Sequence, residues 1–560
     1  MPNPALTTIA AALVLTSLVH PSAAPQTPAR ADPPALLVLV VVDQMRRDYI
    51  DDYGARWSKG LRALVDEGAW FQQASYPYLT TLTCAGHASI ATGTPPARHG
   101  VISNQWWDRA GQKVVSCTTD SDAREVPYGS RREPGPGGSA AALERPTFAS
   151  AVAGARPGSR VVSISLKRAA AVMMAGDRAD SAIWFQGGGF SSSTAYGAEP
   201  ERSLSRYVAR HPLEAAFGRE WSRRGGPSDY RGDDDAPGEK PPSEWTTTFP
   251  HLLQPRSGQP TVFFYEAWQG SPYSDEYLSK LAETALSGMK LGRGPGTDIL
   301  AISFSALDVV GHDFGPRSHE VQDVLRWLDE ALGRLIRQLD RRVGRDRYVL
   351  AFTADHGVAT IPEQLTAGGT DAGRIKMNEV MTLVNEILSD TWGQGRWVAT
   401  QAYTELYFRL GVFDRLTADP ELLRKVMEAL AAVPGVASVF DSRDFAAGRV
   451  PDDPIARAVA GSFFPSRSGD LIVVPKPNWI YVSDDKSVIP GNATTHGSPY
   501  GYDTDVPVIL FGAGVGAGRH QTPATPLDIA PTLAHLAGVP FPSATGKVLR
   551  DALLDVAATR

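Results

Sequence analysis

Short apolar runs rich in β-branched residues recur along this 560-residue chain, at 36–42 (LLVLVVV), 160–166 (RVVSISL), 261–265 (TVFFY), 298–304 (DILAISF), 348–353 (YVLAFT) and 506–511 (VPVILF). A strand with one face in water alternates apolar and polar residues. Runs this short and this continuous predict strands buried on both faces, as in a parallel sheet covered by helices. Helical spacing marks the stretches between them, at 56–67, 83–92, 276–288, 319–341 and 526–537. The stretch 319–341 is the clearest, with Val321, Val324, Leu325, Leu328, Leu332, Leu335, Ile336 and Leu339 on one face. Alternating elements of this kind predict an α/β fold built on a doubly wound, mostly parallel sheet.

With 42% hydrophobic and 21% charged residues the chain can build a large core. Its net charge of −6 offers no sequence-independent grip on phosphate backbones, so a nucleic acid partner is not expected. Two cysteines exclude a disulfide-dense scaffold and a Cys-built zinc ribbon. The apolar stretch 5–19 is too short for a confident membrane span. Small residues follow at Ser22-Ala23-Ala24 and Ala29-Arg30-Ala31. Residues 1–31 therefore read as a signal peptide cleaved after 24 or 31, leaving no stable span and sending the protein to the periplasm or outside the cell. Export makes a disulfide chemically possible, and Cys84–Cys117 is the one candidate pair. Two polar, Gly/Pro-rich segments, 128–145 and 223–244, read as loops. Residues 365–490 mix short strands with a helix near 418–432 and read as an inserted cap. That leaves 32–364 and 491–560 as the main domain.

Three acids follow apolar runs: Asp43, Asp308 and Asp355. In an open parallel sheet the carboxyl ends of the strands share one edge, where ligands bind. These acids are therefore expected to meet in space. Carboxylates at close range raise one another's pKa unless cations neutralise them, which points toward metal. Imidazoles accompany them at His312, four residues after Asp308, at His356 beside Asp355, and at His496. Oxygen and imidazole donors together suit zinc, with manganese or iron as weaker alternatives. Six ligands divide into two sites of three, the composition of a two-metal centre. A lone Asp at a strand end is ordinarily a cap, and a lone His is ordinarily structural. The combination of DQ, DVVGH, TADHG and THG, each beside a strand, is far more specific. Thr83 opens a small-residue helix whose first N–H groups favour an anion, and its hydroxyl is a candidate nucleophile. Thr80 and Thr81 compete for that role. His87, on the same helix, reads as structural.

These motifs resemble the alkaline phosphatase superfamily, specifically the phosphate-irrepressible bacterial alkaline phosphatases and the related type I phosphodiesterase/nucleotide pyrophosphatases. The resemblance runs from about Leu36 to Gly546. It implies an alkaline phosphatase-like catalytic domain and a di-zinc hydrolase of small phosphate esters with a covalent phosphothreonine on Thr83, here in TCAGH. It further implies that Asp43, Asp355 and His356 hold one zinc with Thr83, and that Asp308, His312 and His496 hold the other. Asn104 and Lys167 would bind the transferred phosphoryl group. The monoesterases carry Lys-x-Arg, but Ala169 stands where that Arg is expected, and Arg168 could serve only if the loop is one residue shorter. Losing that cation leaves a phosphodiesterase or nucleotide pyrophosphatase as the alternative to a phosphate monoesterase. A sulfatase is disfavoured because Cys84 is followed by AGHA, and a membrane phosphoethanolamine transferase would need several spans. A catalytically silent metal-binding or adhesion protein is the reading from a different class. Trp184, Phe185 and Tyr196 are pocket candidates, although aromatics are more often core.

Overall fold

Leu36–Val42 lies fully buried at the centre of a ten-stranded sheet in the computed structural model, which describes residues 32–129, 133–483 and 491–554 besides Met1. The strand order is Gly518–His520, Ala69–Phe71, Val508–Gly512, Tyr348–Thr353, Leu36–Val42, Asp298–Phe304, Val161–Ser165, Ser181–Gln186, Gly189–Ser193 and Glu125–Tyr128. The five strands from Tyr348–Thr353 to Ser181–Gln186 run parallel. Val508–Gly512 pairs antiparallel to Tyr348–Thr353, so the sheet is mixed with a parallel centre. Residues 2–31, which carry the expected signal peptide, lie outside the described residues.

Side chains of alternate parity enter opposite layers, because successive strand residues face opposite sides of a sheet. Val38, Val40 and Val42 join one apolar cluster with the helix His319–Arg342, while Leu37, Leu39 and Val41 join another with Ile529–Leu536. Both faces are thereby covered, as continuous apolar strands require.

One expected strand is a helix. Residues 261–265 begin the helix Val262–Gln269, with Phe263, Phe264, Ala267 and Trp268 buried and Val262 exposed. The aromatic content of TVFFY favours strand locally. The helical period shows only when Ala267 and Trp268 are counted.

Within 365–483 the chain forms a separate four-stranded antiparallel sheet, ordered Val398–Ala402, Glu405–Phe408, Leu471–Pro475 and Val436–Asp441. Helices Met377–Trp392 and Pro420–Ala431 pack there in an apolar cluster that also takes in Leu82. The two ends of the segment pair in parallel, Gly373–Lys376 with Trp479–Val482. All of this belongs to one compact unit, Pro33–Leu553. Among the described residues no helix is long and apolar enough to cross a membrane. The loop 223–244 contains only a short 3-10 turn and is tied to the His319–Arg342 helix, where Asp323 accepts from the Arg224 N–H at 2.8 Å and Gln322 from the Arg231 N–H at 2.9 Å.

Candidate active site

Parallel registry brings Val42 level with Phe304, and Thr353 level with Val41, so the segments after these strands emerge together on one edge. Asp43 follows the first strand directly. Asp355 follows the third by two residues. Asp308 sits in the first turn of the helix Ala306–Phe314 that continues the second. All three are buried. Asp308 offers one oxygen to His312 Nε2 at 3.4 Å and to His496 Nε2 at 3.7 Å. His356 Nε2 lies 3.2 Å from Asp355 Oδ2 and 3.5 Å from Asp43 Oδ1. The rings of His356 and His496 stack at 3.5 Å between centroids. Two compact donor sets result: Asp308, His312 and His496, and Asp43, Asp308 and His356. Asp308 thus borders both sets, and Asp355 reaches the second through His356.

Each of the three imidazoles has its Nδ1 opposite a backbone carbonyl. His312 faces Thr494 O at 2.8 Å, His356 faces Gly357 O at 3.0 Å, and His496 faces Thr81 O at 2.8 Å. A carbonyl only accepts, so Nδ1 carries a proton in each, and in a neutral ring Nε2 keeps its lone pair, turned toward the carboxylates. Metal-ligating histidines are oriented in this way. Burial lowers the pKa of His356 and lowers that of His496 strongly, which keeps both rings neutral.

The acids themselves are unevenly satisfied. Asp43 Oδ1 accepts no hydrogen bond among the described residues although it is buried, and Asp355 Oδ2 faces only imidazole nitrogens of His87 and His356, each at 3.2 Å. Burial, then Asp308 and Asp355, push the Asp43 carboxyl well above the usual range. Burial also works against ionising Asp308, but Lys167 and then His312, whose own pKa Asp308 raises, outweigh it and hold that carboxyl well below the usual range. Buried, orphaned carboxylate oxygens facing neutral imidazole lone pairs fit divalent cations bound by oxygen and nitrogen.

Thr83, 4% exposed, begins the helix Thr83–Thr92, and its Oγ1 lies 3.5 Å from His356 Nε2. Gly86 lets that helix approach, since a Cβ there would stand 2.3 Å from the Asp355 carbonyl oxygen. Lys167, just past Val161–Ser165, sends Nζ between two acids, 2.7 Å from Asp43 Oδ2 and in contact with Asp308 Oδ2. Asn104 Oδ1 accepts from the backbone N–H of Cys84, the residue after Thr83, at 2.9 Å. Arg168 does not join them. Lys167 is extended, Arg168 is already the first residue of the helix Arg168–Ala175, and the turn sends its stem beside Gly138. The acid its charge faces is Glu125.

Of two further neighbours, Gln44 was not singled out from the sequence, and His87 has the supporting place expected of a structural residue. Gln44, at φ +70°, donates its backbone N–H to Asp355 at 3.2 Å and its side-chain amide to Asp308 at 2.9 Å. His87 faces Thr83 O at 2.9 Å and Asp355 Oδ2 at 3.2 Å through Nδ1, and Ser303 Oγ at 2.9 Å through Nε2. Both its nitrogens are engaged, so it supports Asp355 rather than offering a lone pair. The aromatic candidates are core. Trp184 and Tyr196 pack with Cys84 and Ala88 behind the Thr83 helix, and Phe185, partly buried, meets Trp268 in a tilted ring contact at 5.6 Å. Cys84 and Cys117 form a disulfide.

Residues 37–503 match the model of the type I phosphodiesterase/nucleotide pyrophosphatase family. The alkaline phosphatase PhoV of Synechococcus elongatus is 30% identical over 543 residues, 96% of this chain and 95% of that protein. The alkaline phosphatase PafA of Elizabethkingia meningoseptica is 28% identical over 536 residues, 93% of this chain and 94% of that protein. A crystal structure of wild-type alkaline phosphatase PafA superposes with a TM-score of 0.83, covering 93% of this chain and 99% of that one at 28% identity. Another structure of that enzyme carries substitutions of a threonine, an asparagine, a lysine and an arginine. The fold, the convergent donor sets and these similarities agree: the chain belongs to the type I phosphodiesterase/nucleotide pyrophosphatase family of the alkaline phosphatase superfamily and is a phosphoric ester hydrolase.

Proposed function

We propose that the protein is an exported phosphatase that hydrolyses small phosphate monoesters through a covalent phosphothreonine on Thr83. The observation that carries this reading is the placement of the Thr83 hydroxyl 3.5 Å from His356 Nε2, at the rim of the converging side chains of Asp43, Asp308, His312, His356 and His496. Asp43, Asp355 and His356 with Thr83 would hold one Zn2+ and Asp308, His312 and His496 the other, manganese or iron being weaker alternatives, and bound cations there would polarise a phosphoryl group and lower the pKa of a hydroxyl.

The chain's own groups supply the rest. The Thr83 hydroxyl oxygen attacks phosphorus in line with the leaving alkoxide, giving a phosphothreonine that water then cleaves. Lys167 brings an ammonium into the acid cluster, where it can meet a non-bridging oxygen. Asn104, with Oδ1 committed to Cys84, keeps its Nδ2–H groups for the same task. Thr83 and Asn104 stand at the same separation as the threonine and asparagine substituted in PafA, and Lys167 followed by Ala169 stands against that enzyme's lysine and arginine.

Ala169 also supports a second reading, a phosphodiesterase or nucleotide pyrophosphatase using the same centre. A monoester dianion carries one more charged oxygen than a diester, so a missing guanidinium weakens the preference for it. We further propose that 365–490 is a cap shaping the substrate pocket, that 32–364 with 491–560 is the catalytic domain, and that the disulfide and the apolar N-terminal stretch reflect export. The deciding experiment compares an aryl phosphate with a bis-aryl phosphate diester, using wild type and Thr83→Ala. Higher kcat/KM on the diester would overturn the monoesterase assignment, and full activity of Thr83→Ala would overturn the covalent route.

A further inference from the structure

We propose that the Cys84–Cys117 disulfide acts as a positioning clamp that sets the Asn104 amide against the nucleophile. The proposal rests on the reading of Asn104 as a donor to the phosphoryl group. Helix Thr83–Thr92 begins without a side-chain cap: Leu82 occupies the cap position, and the first N–H groups need outside acceptors. Asn104 Oδ1 supplies one, taking the Cys84 N–H at 2.9 Å. That contact also fixes which end of the amide is which, because an N–H needs the oxygen and so leaves Nδ2 to donate elsewhere. The other half-cystine holds the same residue from behind, the Cys117 N–H donating to the Asn104 backbone oxygen at 3.0 Å. Asn104 is therefore gripped by both members of one disulfide, at its side chain by Cys84 and at its backbone by Cys117.

The surroundings explain why a covalent tie is needed. Asn104 immediately precedes a two-stranded hairpin, Gln105–Asp108 with Lys113–Ser116, and Cys117 is the next residue after that hairpin. The hairpin is an isolated pair with an exposed outer strand, Val114 being 42% exposed. A lone hairpin is marginal on its own. Cys84 and Cys117 are buried at 1% and 0%, in the same apolar cluster as Ala88, Trp106 and Trp184. The hairpin is anchored at its far side by Arg109 on Asp470 at 2.8 Å and by buried Trp106, and the bond links its open end to the first turn of the Thr83–Thr92 helix. Without it, Asn104 Oδ1 has one hydrogen bond to keep it in register with Thr83, and a small shift of a transition-state donor costs much of its effect.

A double-mutant cycle separates this role from general stabilisation, since closing a loop of this size also stabilises the fold through the unfolded chain. kcat and KM for an aryl phosphate are measured for wild type, Asn104→Ala, Cys84→Ala/Cys117→Ala, and all three substitutions together, at a temperature where each is folded by circular dichroism. Removing the disulfide is expected to lower kcat/KM about 10-fold or more in wild type, toward the roughly 100-fold loss typical of a removed donor. In the Asn104→Ala background it should change kcat/KM less than about 3-fold. Equal losses in the two backgrounds, or no loss in either, would overturn the clamp. So would an Asn104→Ala variant with unchanged kcat/KM, whereas the covalent reading is judged separately by Thr83→Ala. Should the double alanine variant fail to fold, Cys84→Ala/Cys117→Val, which refills part of the buried volume, is compared in the wild-type and Asn104→Ala backgrounds, and the same two patterns decide.

Discussion

Gln44 spans two of the site's acids, its backbone N–H on Asp355 Oδ1 and its side-chain amide on Asp308 Oδ1. It holds in place the carboxylates of both proposed cation positions. Groups that orient ligands from behind commonly cost 10–100-fold in metal affinity when removed, so about that loss is expected for Gln44→Ala. Dialysis against a graded chelator series followed by zinc analysis reads it directly. Retention of metal equal to wild type would assign Gln44 to backbone geometry alone.

The Lys167–Ala169 pair makes a prediction in the opposite direction, a gain. Arg168 spends its charge toward Glu125, and Ala169 leaves the next position without a cation. Ala169→Arg is expected to raise the ratio of monoester to diester kcat/KM by about tenfold or more, and Lys167→Ala to lower it. Paired assays on an aryl phosphate and a bis-aryl diester test both. An unchanged ratio in Ala169→Arg would mean that the new side chain follows Arg168 away from the site.

Gly86 marks where the Thr83–Thr92 helix and the Asp355 segment touch. A Cβ at that position meets the Asp355 carbonyl oxygen at 2.3 Å and its Cβ at 2.7 Å, and the first of these is backbone that cannot rotate aside. Gly86→Ala should destabilise the fold by about 1–3 kcal/mol, as overpacking does, and should displace Thr83 from His356. Thermal melting gives the first quantity and kcat on an aryl phosphate the second. A folded Gly86→Ala with wild-type kcat would show that the spacing between helix and strand end is not critical.

Much of this site could be read from the chain because a parallel sheet does the alignment. Asp43, Asp308 and Asp355 are hundreds of residues apart at most, yet each follows an apolar run, and the strand ends share one edge by topology. The helix Thr83–Thr92 begins and ends where its small-residue pattern says. What stayed hidden depends on direction rather than on pattern. TVFFY looks like a strand until the residues beyond it reveal a helical face. Arg168 lies beside Lys167 in sequence, but a helix starting between them separates their side chains. Gln44 and His87 gain their meaning only from partners that local sequence does not name.

Glu405 carries a pH dependence in the 365–490 segment, away from the ligand cluster. Its side chain is 2% exposed, accepts from the Gly469 N–H at 2.6 Å, and is pushed by burial up to about 7 from an ordinary 4.5. Below 4.5 the folded and unfolded chains both hold this proton, and Glu405 contributes no pH dependence. Between 4.5 and about 7 the unfolded chain releases it while the folded chain keeps it, so wild-type stability falls as pH rises. Glu405→Gln retains an oxygen for Gly469 and cannot ionise. Its stability relative to wild type should therefore grow across that window and level off above it, by at most about 3 kcal/mol. Denaturant melts of both proteins at pH 5 and pH 8, compared by midpoint, measure the difference. A gap that is the same at both pH values would place the titration of Glu405 at its ordinary position and remove its carboxyl as a source of strain in this segment.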